Sequence, residues 1–380
     1  MGEVANIPQL RFPEFSNEWE ESKVGKVFKV SAGGDIKTEN VSQIKTDGFP
    51  YPIYANAEKA KGLYGYSNLY KSEANVVTVA GRGVNIGIAH VRLEPFYPIV
   101  RLLVLNPIKD ADVKFWENQL NQLNLFVEST GVPQLTAPQI SSYKVKYPSK
   151  PEQQKIAAFL TAVDNKIEQL SKKQELLGEY KKGLMQQIFS QAIRFKADDG
   201  SDFPDWEEEK LGDVSDCLDN RRQPLNGAER NQMKGDIPYY GANGIVDYVN
   251  DYIFDEELVL LAEDGGNFND FSSKPIAQKI SGKAWVNNHA HILKAKNIIA
   301  TDFLFYSLVH KDIRRYIVGG SRAKLNKSDL LSIKTILPPL EEQTKIANFL
   351  SSIDNKIEQV GKQLVESKQF KKALLQQMFV

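Results

Sequence analysis

The sequence has a single cysteine and no long hydrophobic run. Cys217 stands alone among 380 residues, which excludes a disulfide framework and a zinc site built from several cysteines. The most apolar stretch, residues 99–108, is far shorter than the ~18 residues of a membrane-spanning helix and contains Arg101. The first ten residues lack the basic and apolar regions of a signal peptide. These absences predict a cytoplasmic protein with no membrane partner.

The chain also lacks net charge. It has 48 basic and 48 acidic side chains, a balance that on average composition argues against a nucleic-acid partner. With 42% hydrophobic and 25% charged residues, the composition is otherwise that of an ordinary globular protein. A length of 380 residues is enough for two domains of about 150 residues and further elements.

Sequence motifs of catalysis are missing as well. There is no Walker A motif, and the glycines of residues 81–87 are too widely spaced for a dinucleotide-binding turn. The segment PDWEEEK at 204–210 resembles a nuclease motif. The related segment NEWEESK at 17–23 has no proline, however, and we favour a structural role for both. We predict a binding protein with no catalytic residue.

Two histidines could bind a metal by residue type and spacing. His289 and His291 form an H-x-H pair, but the related segment earlier in the chain has only His90. The sequence contains no second cluster of histidine and cysteine. We therefore favour a structural or backbone-contacting role for this pair and predict no metal site.

Internal repetition is the dominant feature of the sequence. The segment EQQKIAAFLTAVDNKIEQ at 152–169 recurs as EEQTKIANFLSSIDNKIEQ at 341–359, with a shift of 190 residues. Weaker matches relate Trp19 to Trp206, residues 52–57 to 238–244, and His90 to His291. The repeat predicts four segments: a globular head at 1–150, a helix at 151–192, a second head at 193–339 and a second helix at 340–380.

Both predicted helices carry apolar residues at alternating steps of four and three, the pattern of a coiled coil. Each helix would have about 40 residues and a length of about 60 Å. A short connection between the first helix and the second head favours an antiparallel pair; two amphipathic helices packed on their own domains are the alternative. Gln174, Lys181, Ser367 and Lys371 are polar positions of the seam that we assign to register or partner contacts. The predicted interface residues are Ile156, Leu160, Val163, Ile167, Leu170, Leu177 and Leu184 in the first helix and Ile346, Leu350, Ile353, Ile357, Val360, Leu364 and Leu374 in the second.

Each head combines short strands with one late helix. The patterns predict strands within residues 75–83, 100–106 and 258–266, and helices within 112–130 and 301–319. Strands and helices do not alternate regularly enough for a doubly wound nucleotide-binding fold. We predict an α+β chain with two globular α/β domains separated by two long antiparallel coiled-coil helices, related by an internal pseudo-twofold repeat.

Charge is distributed unevenly along the chain. The four segments carry net charges of +2, +1, −4 and +1, and residues 274–334 contain 12 basic residues against three acidic ones. The loop GGSRAKLNKSD at 319–329 has side chains suited to phosphates and base edges, although a solvated surface loop is the alternative. The predicted DNA-binding residues are Arg82, Asn85, His90 and Lys144 in the first head and Arg221, Asn243, His291, Arg322, Lys324, Asn326 and Lys327 in the second.

The two helix motifs, each after a head that ends in a segment such as AKLNKSDLLSIKTILPP, and the opening LRFPEFSNEWE resemble the specificity subunit of type I restriction-modification systems. PYYGANGIVDYV and WVNNHAHIL also resemble one class of target recognition domain in that family. The resemblance covers the whole chain. It implies two target recognition domains, each reading one half of a bipartite double-stranded DNA target, and helices that set the spacer between the halves.

The same resemblance implies partners and cofactors. Two methylation subunits would dock on the helices and heads, and restriction subunits would join them. S-adenosylmethionine, ATP and Mg would be used by those partners, with no cofactor in this chain. Divergent heads would read different half-sites, which gives an asymmetric target. The alternatives are a protein-interaction adaptor built on a coiled-coil rod and a free-standing DNA enzyme.

Overall fold

The computed structural model describes residues 7–57, 59–108, 110–125, 133–320 and 323–380. The chain forms two compact units. Unit 1 comprises Met1–Lys172 and Gly361–Val380, and unit 2 comprises Lys173–Val360. Each long helix therefore contributes one part to each unit. Among the described residues, no helix is both long and apolar enough to cross a membrane.

Unit 1 begins with short strands and ends with the first part of a long helix. Its helices are α1 (Val24–Val27), α2 (Val113–Asn121), α3 (Ala137–Ser142) and the first part of α4 (Lys150–Phe189). Short 3-10 segments lie at Thr38–Asn40 and Lys59–Gly62. Its strands are β1 (Glu20–Lys23), β2 (Phe28–Ala32), β3 (Val41–Ser42), β4 (Tyr51–Tyr54), β5 (Leu63–Ser67), β6 (Val76–Val79), β7 (Ala89–Arg92), β8 (Tyr97–Pro98), β9 (Leu103–Pro107) and β10 (Lys144–Tyr147).

Two four-stranded sheets form the body of unit 1. One has the order β2-β9-β6-β7 and is antiparallel, and its central strand β6 is buried along its whole length. The other has the order β3-β5-β4-β8, with a parallel β4–β8 pair. The two-stranded β1-β10 sheet joins the start of the unit to the segment before α4. Trp19, Phe28, Phe115 and Trp116 are fully buried in the core between these elements.

Unit 2 repeats this order of elements. Its helices are α5 (Leu211–Val214), α6 (Gly227–Gln232), α7 (Thr301–Leu308), α8 (Lys327–Ser332) and the first part of α9 (Leu340–Met378). Short 3-10 segments lie at Asp219–Arg221 and Arg314–Tyr316. Its strands are β11 (Glu207–Lys210), β12 (Ser215–Cys217), β13 (Lys234–Gly241), β14 (Gly244–Val249), β15 (Phe254–Asp255), β16 (Leu258–Ala262), β17 (Ala277–Ile280), β18 (Lys283–Val286), β19 (Ala290–Ala295), β20 (Ile317–Val318), β21 (Lys324–Leu325) and β22 (Lys334–Leu337).

The sheets of unit 2 correspond to those of unit 1. The order β12-β19-β16-β17 matches β2-β9-β6-β7, and β11-β22 matches β1-β10. In the remaining sheet, β14-β13-β18 matches β5-β4-β8, but the fourth strand β15 lies beside β18, whereas β3 lies beside β5. Both units are thus α+β domains on one scaffold, as the repeat predicts.

Strand pairing fixes which residues of the two units correspond. Ile53 pairs with Tyr97 in a parallel arrangement, as Tyr239 pairs with Trp285, which confirms the match between residues 52–57 and 238–244. The match of His90 to His291 is wrong. His90 lies in β7 at the edge of its sheet, whereas His291 lies in β19, the counterpart of β9.

The late helices are shorter than their sequence patterns predict. The segment 301–319 is helical only to Leu308, because the Val309 carbonyl accepts a hydrogen bond from the amide of Ile276 and the chain then turns. Residues 317–318 form β20 and pair with β21 instead. The segment 112–130 is helical as α2 to Asn121, and residues 126–132 lie outside the described part of the chain.

A buried ion pair anchors the start of each long helix to its unit. Arg11 donates two hydrogen bonds of 2.7 Å to the carboxylate of Glu152, which also accepts from the indole of Trp19 at 3.4 Å. Arg194 likewise donates two hydrogen bonds to the carboxylate of Glu342, at 3.1 and 2.7 Å. The Trp206 indole donates to the same carboxylate at 3.1 Å. We call each of these groups an Arg-Glu-Trp clamp. The clamps explain why the glutamate of the helix motif recurs.

Within unit 1, the first part of α4 packs beside the last part of α9. Ile156 and Leu374 belong to one apolar core, and the Lys371 ammonium lies 2.6 Å from the Asp164 carboxylate. Phe379 stacks on Phe115 of the head at a ring distance of 5.4 Å. Early residues of one helix thus pair with late residues of the other.

Within unit 2, the last part of α4 packs beside the first part of α9. Ile188 and Ile346 belong to one apolar core, and the Lys181 ammonium lies 2.6 Å from Asp354. The two long helices are therefore antiparallel, as predicted, although their ends also pack on the heads. The predicted seam residues Ile156, Leu160, Val163, Ile167, Leu170, Leu177, Leu184, Ile346, Leu350, Ile353, Ile357, Val360, Leu364 and Leu374 are buried or half-buried.

Candidate nucleic-acid interface

Three loops converge at one end of the sheets in each unit, and we call each convergence a three-loop surface. In unit 2 it comprises residues 241–244, 264–266 and 287–289, which border an open cleft of about 640 Å³. In unit 1 the strand registers place residues 55–57, 82–84 and 99–101 at the equivalent positions.

In unit 2, polar side chains connect the loops. The Asn243 amide donates to the Gly265 carbonyl at 2.8 Å, and Asp264 bonds to the His289 ring at 2.5 Å. The Asn287 side chain accepts from the amide of His289 at 2.8 Å. Asparagine and histidine side chains, together with free backbone groups, can donate to and accept from base edges in the major groove.

In unit 1, Asn56 takes the connecting role. Its side chain donates to the Val100 carbonyl and accepts from the amide of Gly81 at 2.9 Å. Val100 and Arg101 have φ of +53° and +63°, a left-handed conformation that is unfavourable for non-glycine residues, above all for β-branched valine. This turn holds the exposed Arg101 guanidinium at the surface, without an acidic partner among the described residues.

The structure brings only some predicted residues of unit 1 to this surface. Arg82 belongs to it and donates to Gln134 at 2.9 Å. Asn85 and His90 line a small cavity next to it. Burial alone would raise the pKa of Glu117, but hydrogen bonds from His90 and the Val91 backbone lower it. Lys144 lies apart, in β10, paired with Glu21 at 2.6 Å.

Among the predicted residues of unit 2, Asn243 belongs to the surface, and Lys324 is adjacent because it pairs with Asp264 across an isolated β-bridge. Asn326 precedes α8, where its amide bonds to Asp329, and the exposed Lys327 begins that helix. Arg322 lies outside the described residues.

Arg221 does not reach the loops. It pairs with Glu256 at 2.8 Å and lies 4.5 Å over the ring of Phe254. Phe254 pairs with the start of β18, whereas the three-loop surface follows the end of that strand. The structure therefore separates Arg221 from Asn243 and its neighbours.

The structure does not bring His291 to the three-loop surface, because the residue is 1% exposed and both ring nitrogens are bonded internally. Nδ1 lies 2.6 Å from Asp219 and Nε2 lies 2.9 Å from the Leu325 carbonyl. Burial alone would lower the pKa of His291, but hydrogen bonds that its ring makes to Asp219, Cys217 and the Leu325 carbonyl raise the pKa to about 9. His291 fixes β21, and with it the loop that carries Lys324.

Cys217, Asp219 and His291 are metal ligands by residue type, with ligand atoms within 4.8 Å of one another. Their geometry favours a hydrogen-bonded network instead. Asp219 and the His291 ring are at hydrogen-bond distance, and Arg222 lies 3.4 Å from Asp219 and 2.5 Å from Glu263. A cation would have to displace the shared proton and sit beside a guanidinium, which is electrostatically unfavourable.

Folding neutralises most of the basic sector at residues 274–334. Most of its cations pair with carboxylates, many of which come from the acidic first half of the head. Lys283, Arg315 and Lys327 stay exposed without an acidic partner among the described residues. The pairs are Lys274–Asp270, Lys279–Asp302, Lys294–Glu256, Lys296–Asp216, Arg314–Asp312, Lys324–Glu263 and Lys334–Glu208.

Sequence reasoning missed Arg101, Arg222 and His289 as residues at or behind the surface. These surface residues could have been found from their position after a strand. Arg101 follows the end of β8 by the same number of residues as His289 follows the end of β18. This correspondence follows a shift of 188 residues, which differs from the shift of 190 that relates the long helices.

Comparison with known proteins agrees with the repeat. The family model described as the type I restriction modification DNA specificity domain matches the chain twice, at residues 16–177 and 204–367. The chain belongs to this family. It is thus similar over most of its length to the specificity subunits of type I restriction-modification systems, as its motifs predict.

The relatives include proteins of bacteria and archaea. A predicted type I restriction enzyme specificity subunit of Haemophilus influenzae is 38% identical over 144 residues, which cover 38% of this chain and 36% of that protein. The type I restriction enzyme MjaVIII specificity subunit of Methanocaldococcus jannaschii is 28% identical over 313 residues, covering 73% of this chain and 71% of that protein.

A solved structure shares the fold. The type I restriction-modification S subunit from M. genitalium superimposes with a TM-score of 0.69 at 18% identity, covering 98% of this chain and 99% of that one. At this level of identity, the match concerns the fold alone.

Proposed function

We propose that the chain recognises double-stranded DNA, with each unit reading one half of a bipartite, asymmetric target through its three-loop surface. The observation that carries this proposal is that the two surfaces occupy equivalent places on one scaffold but present different side chains. Unit 1 offers Arg82 and Arg101, whereas unit 2 offers Asn243 and His289. Different side chains at equivalent positions favour different base pairs.

A matched pair of variants tests the half-site assignment. Arg101→Ala and His289→Ala remove equivalent residues from the two surfaces, and Lys26→Ala, an exposed residue of α1, is the control. Each variant would be expressed with its methylation subunit, and methylated adenines would be mapped across the genome. We expect each surface variant to relax or weaken only one half of the target, by about 1–3 kcal/mol per lost contact. Simultaneous changes in both halves, or none in either, would contradict the assignment.

We also propose that the long helices set the spacer between the half-sites. Their antiparallel pairing within each unit supports this role, because each helix contributes one part to each unit. One heptad inserted at equivalent positions of α4 and α9 adds about 10 Å. We expect the recognised spacer to lengthen by about three base pairs. An unchanged spacer with intact activity would eliminate this mechanism.

Two methylation subunits would dock at equivalent positions on the helices. Tyr180 and Phe370 are related by the shift of 190 and are 56% and 53% exposed. Unit 2 also has a pocket of about 360 Å³ lined in part by Lys182, Met185 and Gln186. Unit 1 has a pocket of about 310 Å³ whose lining includes their equivalents Lys372, Leu375 and Gln376.

The paired pockets suggest a stoichiometric test. Met185→Glu and Leu375→Glu would each leave one methylation subunit bound, and the double variant would leave none, as measured by native mass spectrometry. Loss of both subunits from either single variant would contradict independent docking at two equivalent positions. Restriction subunits would join this core.

We propose that the chain itself is not catalytic. S-adenosylmethionine, ATP and Mg would be used by the methylation and restriction subunits. The purified chain alone should therefore transfer no methyl group and cleave no DNA, whereas the assembled complex should do both. Either activity in the isolated chain would require a different assignment.

A further inference from the structure

A buried arginine lies behind the three-loop surface of unit 1. Arg92, the last residue of β7, is 4% exposed. Its Nε donates to the Thr78 hydroxyl at 2.9 Å, and its Nη2 donates to the Lys61 carbonyl at 2.7 Å. Its guanidinium lies 3.6 Å from the centre of the Tyr54 ring. Each of these partners is neutral.

No carboxylate among the described residues forms an ion pair with Arg92. The nearest candidate, Glu117, accepts from the Val91 amide at 3.0 Å and faces His90 at 3.6 Å. Burying a cation without an opposing charge is unfavourable by several kcal/mol, and burial lowers the pKa of Arg92. An anion bound beside Arg92 would offset this cost, which requires a place for it next to the guanidinium.

That place is a cavity of about 190 Å³ against the guanidinium. Thr78, Asn85, His90 and Arg92 supply its polar lining, and small or apolar side chains supply the rest. Ala57 belongs both to this lining and to the three-loop surface. The cavity is therefore adjacent to the surface that would face DNA.

Unit 2 shows that the scaffold does not require the arginine. The strand registers place Ile280 at the position of Arg92 and Leu260 at the position of Thr78. Both residues are buried in an apolar core. Gln278 replaces His90 and bonds to the carbonyls of Gly241 and Ala242. At equivalent positions, one unit thus has apolar side chains and the other has a cation with no acidic partner among the described residues.

We propose that this cavity binds a phosphate-type oxyanion, held by Arg92 with His90 and Asn85 as further polar contacts. The chemistry is that of a planar guanidinium with free donors and an imidazole that meet in a partly enclosed space. The anion is either a backbone phosphate of the DNA, which rests on the proposed function, or free inorganic phosphate.

The test uses the full chain and a variant copied from unit 2. Arg92→Ile combined with Thr78→Leu reproduces the Ile280–Leu260 packing and removes the cation. Lys26→Ala removes one positive charge elsewhere in unit 1 and is the control. Inorganic phosphate would be titrated by calorimetry at constant ionic strength. We expect saturable binding to the unchanged chain and to the control, and at least a tenfold loss in the double variant.

A second arm examines DNA. The dependence of duplex affinity on salt concentration would be measured for the same three proteins. If the cavity holds a backbone phosphate, the slope of log affinity against log salt should fall by about 0.9 in the double variant only. A changed slope without free phosphate binding identifies DNA as the source, and phosphate binding with an unchanged slope identifies the free ion.

The proposal is overturned if neither signal depends on Arg92, including the case in which phosphate binds both proteins equally. If the double variant does not fold, His90→Gln, which copies Gln278, should weaken the same signal several-fold, and equal affinity would overturn the proposal. The phosphate titration needs no DNA, so its failure leaves the proposed function intact. If target recognition were absent while phosphate binding remained, the proposed function would fail and the oxyanion site would stand.

Discussion

Unit 1 and unit 2 place their buried charges at different positions of corresponding sheets. In unit 1, Arg92 lies at the edge strand β7, beside a cavity. In unit 2, the apolar Ile280 stands at the position of Arg92. The buried charges of that unit, Asp219, Glu263 and His291, surround Arg222 near β19. The network of unit 2 contains its own opposing charges, whereas Arg92 has no acidic partner in the described part of unit 1.

This difference separates two uses of a buried charge. The network of unit 2 fixes the position of a loop, because His291 bonds to the Leu325 carbonyl while the Leu325 amide bonds to the Glu263 carbonyl. Arg92 also bonds to a loop, through the Lys61 carbonyl, but it has no acidic partner among the described residues and faces a cavity. One scaffold can therefore keep its helices and clamps constant while the polar groups behind each reading surface change independently.

The Arg-Glu-Trp clamps are common to both units, and breaking them should cause the largest loss of stability. Glu152→Ala and Glu342→Ala each leave a partly buried guanidinium unpaired, at a cost of about 3–5 kcal/mol. Local hydrogen exchange would report the loss of stability in each unit separately. We expect the larger loss for Glu152→Ala, since Arg11 is 11% exposed and Arg194 is 24% exposed. Absent losses would show that the clamps do not anchor the helices, and equal losses would show that the difference in arginine exposure does not matter.

An exchange of equivalent residues should have the next largest effect. Leu103 occupies the position of His291, so Leu103→His and His291→Leu place each unit's residue in the other. His291→Leu removes a charge-assisted hydrogen bond, and Leu103→His buries an imidazole among apolar side chains. We expect each to destabilise its own unit by about 2 kcal/mol. If Leu103→His did not destabilise unit 1, a buried imidazole at this position would not need the hydrogen-bond partners that unit 2 provides.

The helices could be predicted from the sequence because their determinants are local. The steps of four and three residues that set the seam lie within a few turns, and the Lys181 and Lys371 positions stood out as polar interruptions. The structure pairs these lysines with Asp354 and Asp164. The clamps could not be predicted in the same way, because Arg11 and Glu152 are 141 residues apart and only the fold brings them together.

The heads were less predictable for two physical reasons. Loops of unequal length change the residue shift between corresponding strands, so local similarity alone matched His90 to His291, on the wrong strand. Charge segregation along the sequence also disappears on folding, as the Lys324–Glu263 pair illustrates. The reading surface depends on which residues follow the strand ends, and that requires the strand register.

Raising the pH should destabilise unit 2 and not unit 1, by less than the substitutions above. The pKa of His291 is raised from 6.5 to about 9, so its stabilising contribution is fully present below pH 6.5 and is lost as pH rises through 9. We expect unit 2, and not unit 1, to lose roughly 1–2 kcal/mol across this range. Hydrogen exchange at several pH values, corrected for intrinsic rates, would measure it. In His291→Leu the dependence should vanish, and its persistence would assign the effect to another group.

The smallest effect concerns the strained turn of unit 1. Val100 has a φ of +53°, and glycine adopts this conformation without a side-chain clash. Val100→Gly should therefore stabilise unit 1 by up to about 1 kcal/mol, although the added freedom of the unfolded chain offsets part of the gain. Asn288→Gly at the equivalent position of unit 2 is the control, because Asn288 is not in a left-handed conformation and should gain nothing.

If the turn holds Arg101 against DNA, Val100→Gly should raise the thermal stability of unit 1 and lower affinity for its half-site. A stabilised variant with unchanged DNA affinity would show that the strain is unrelated to recognition.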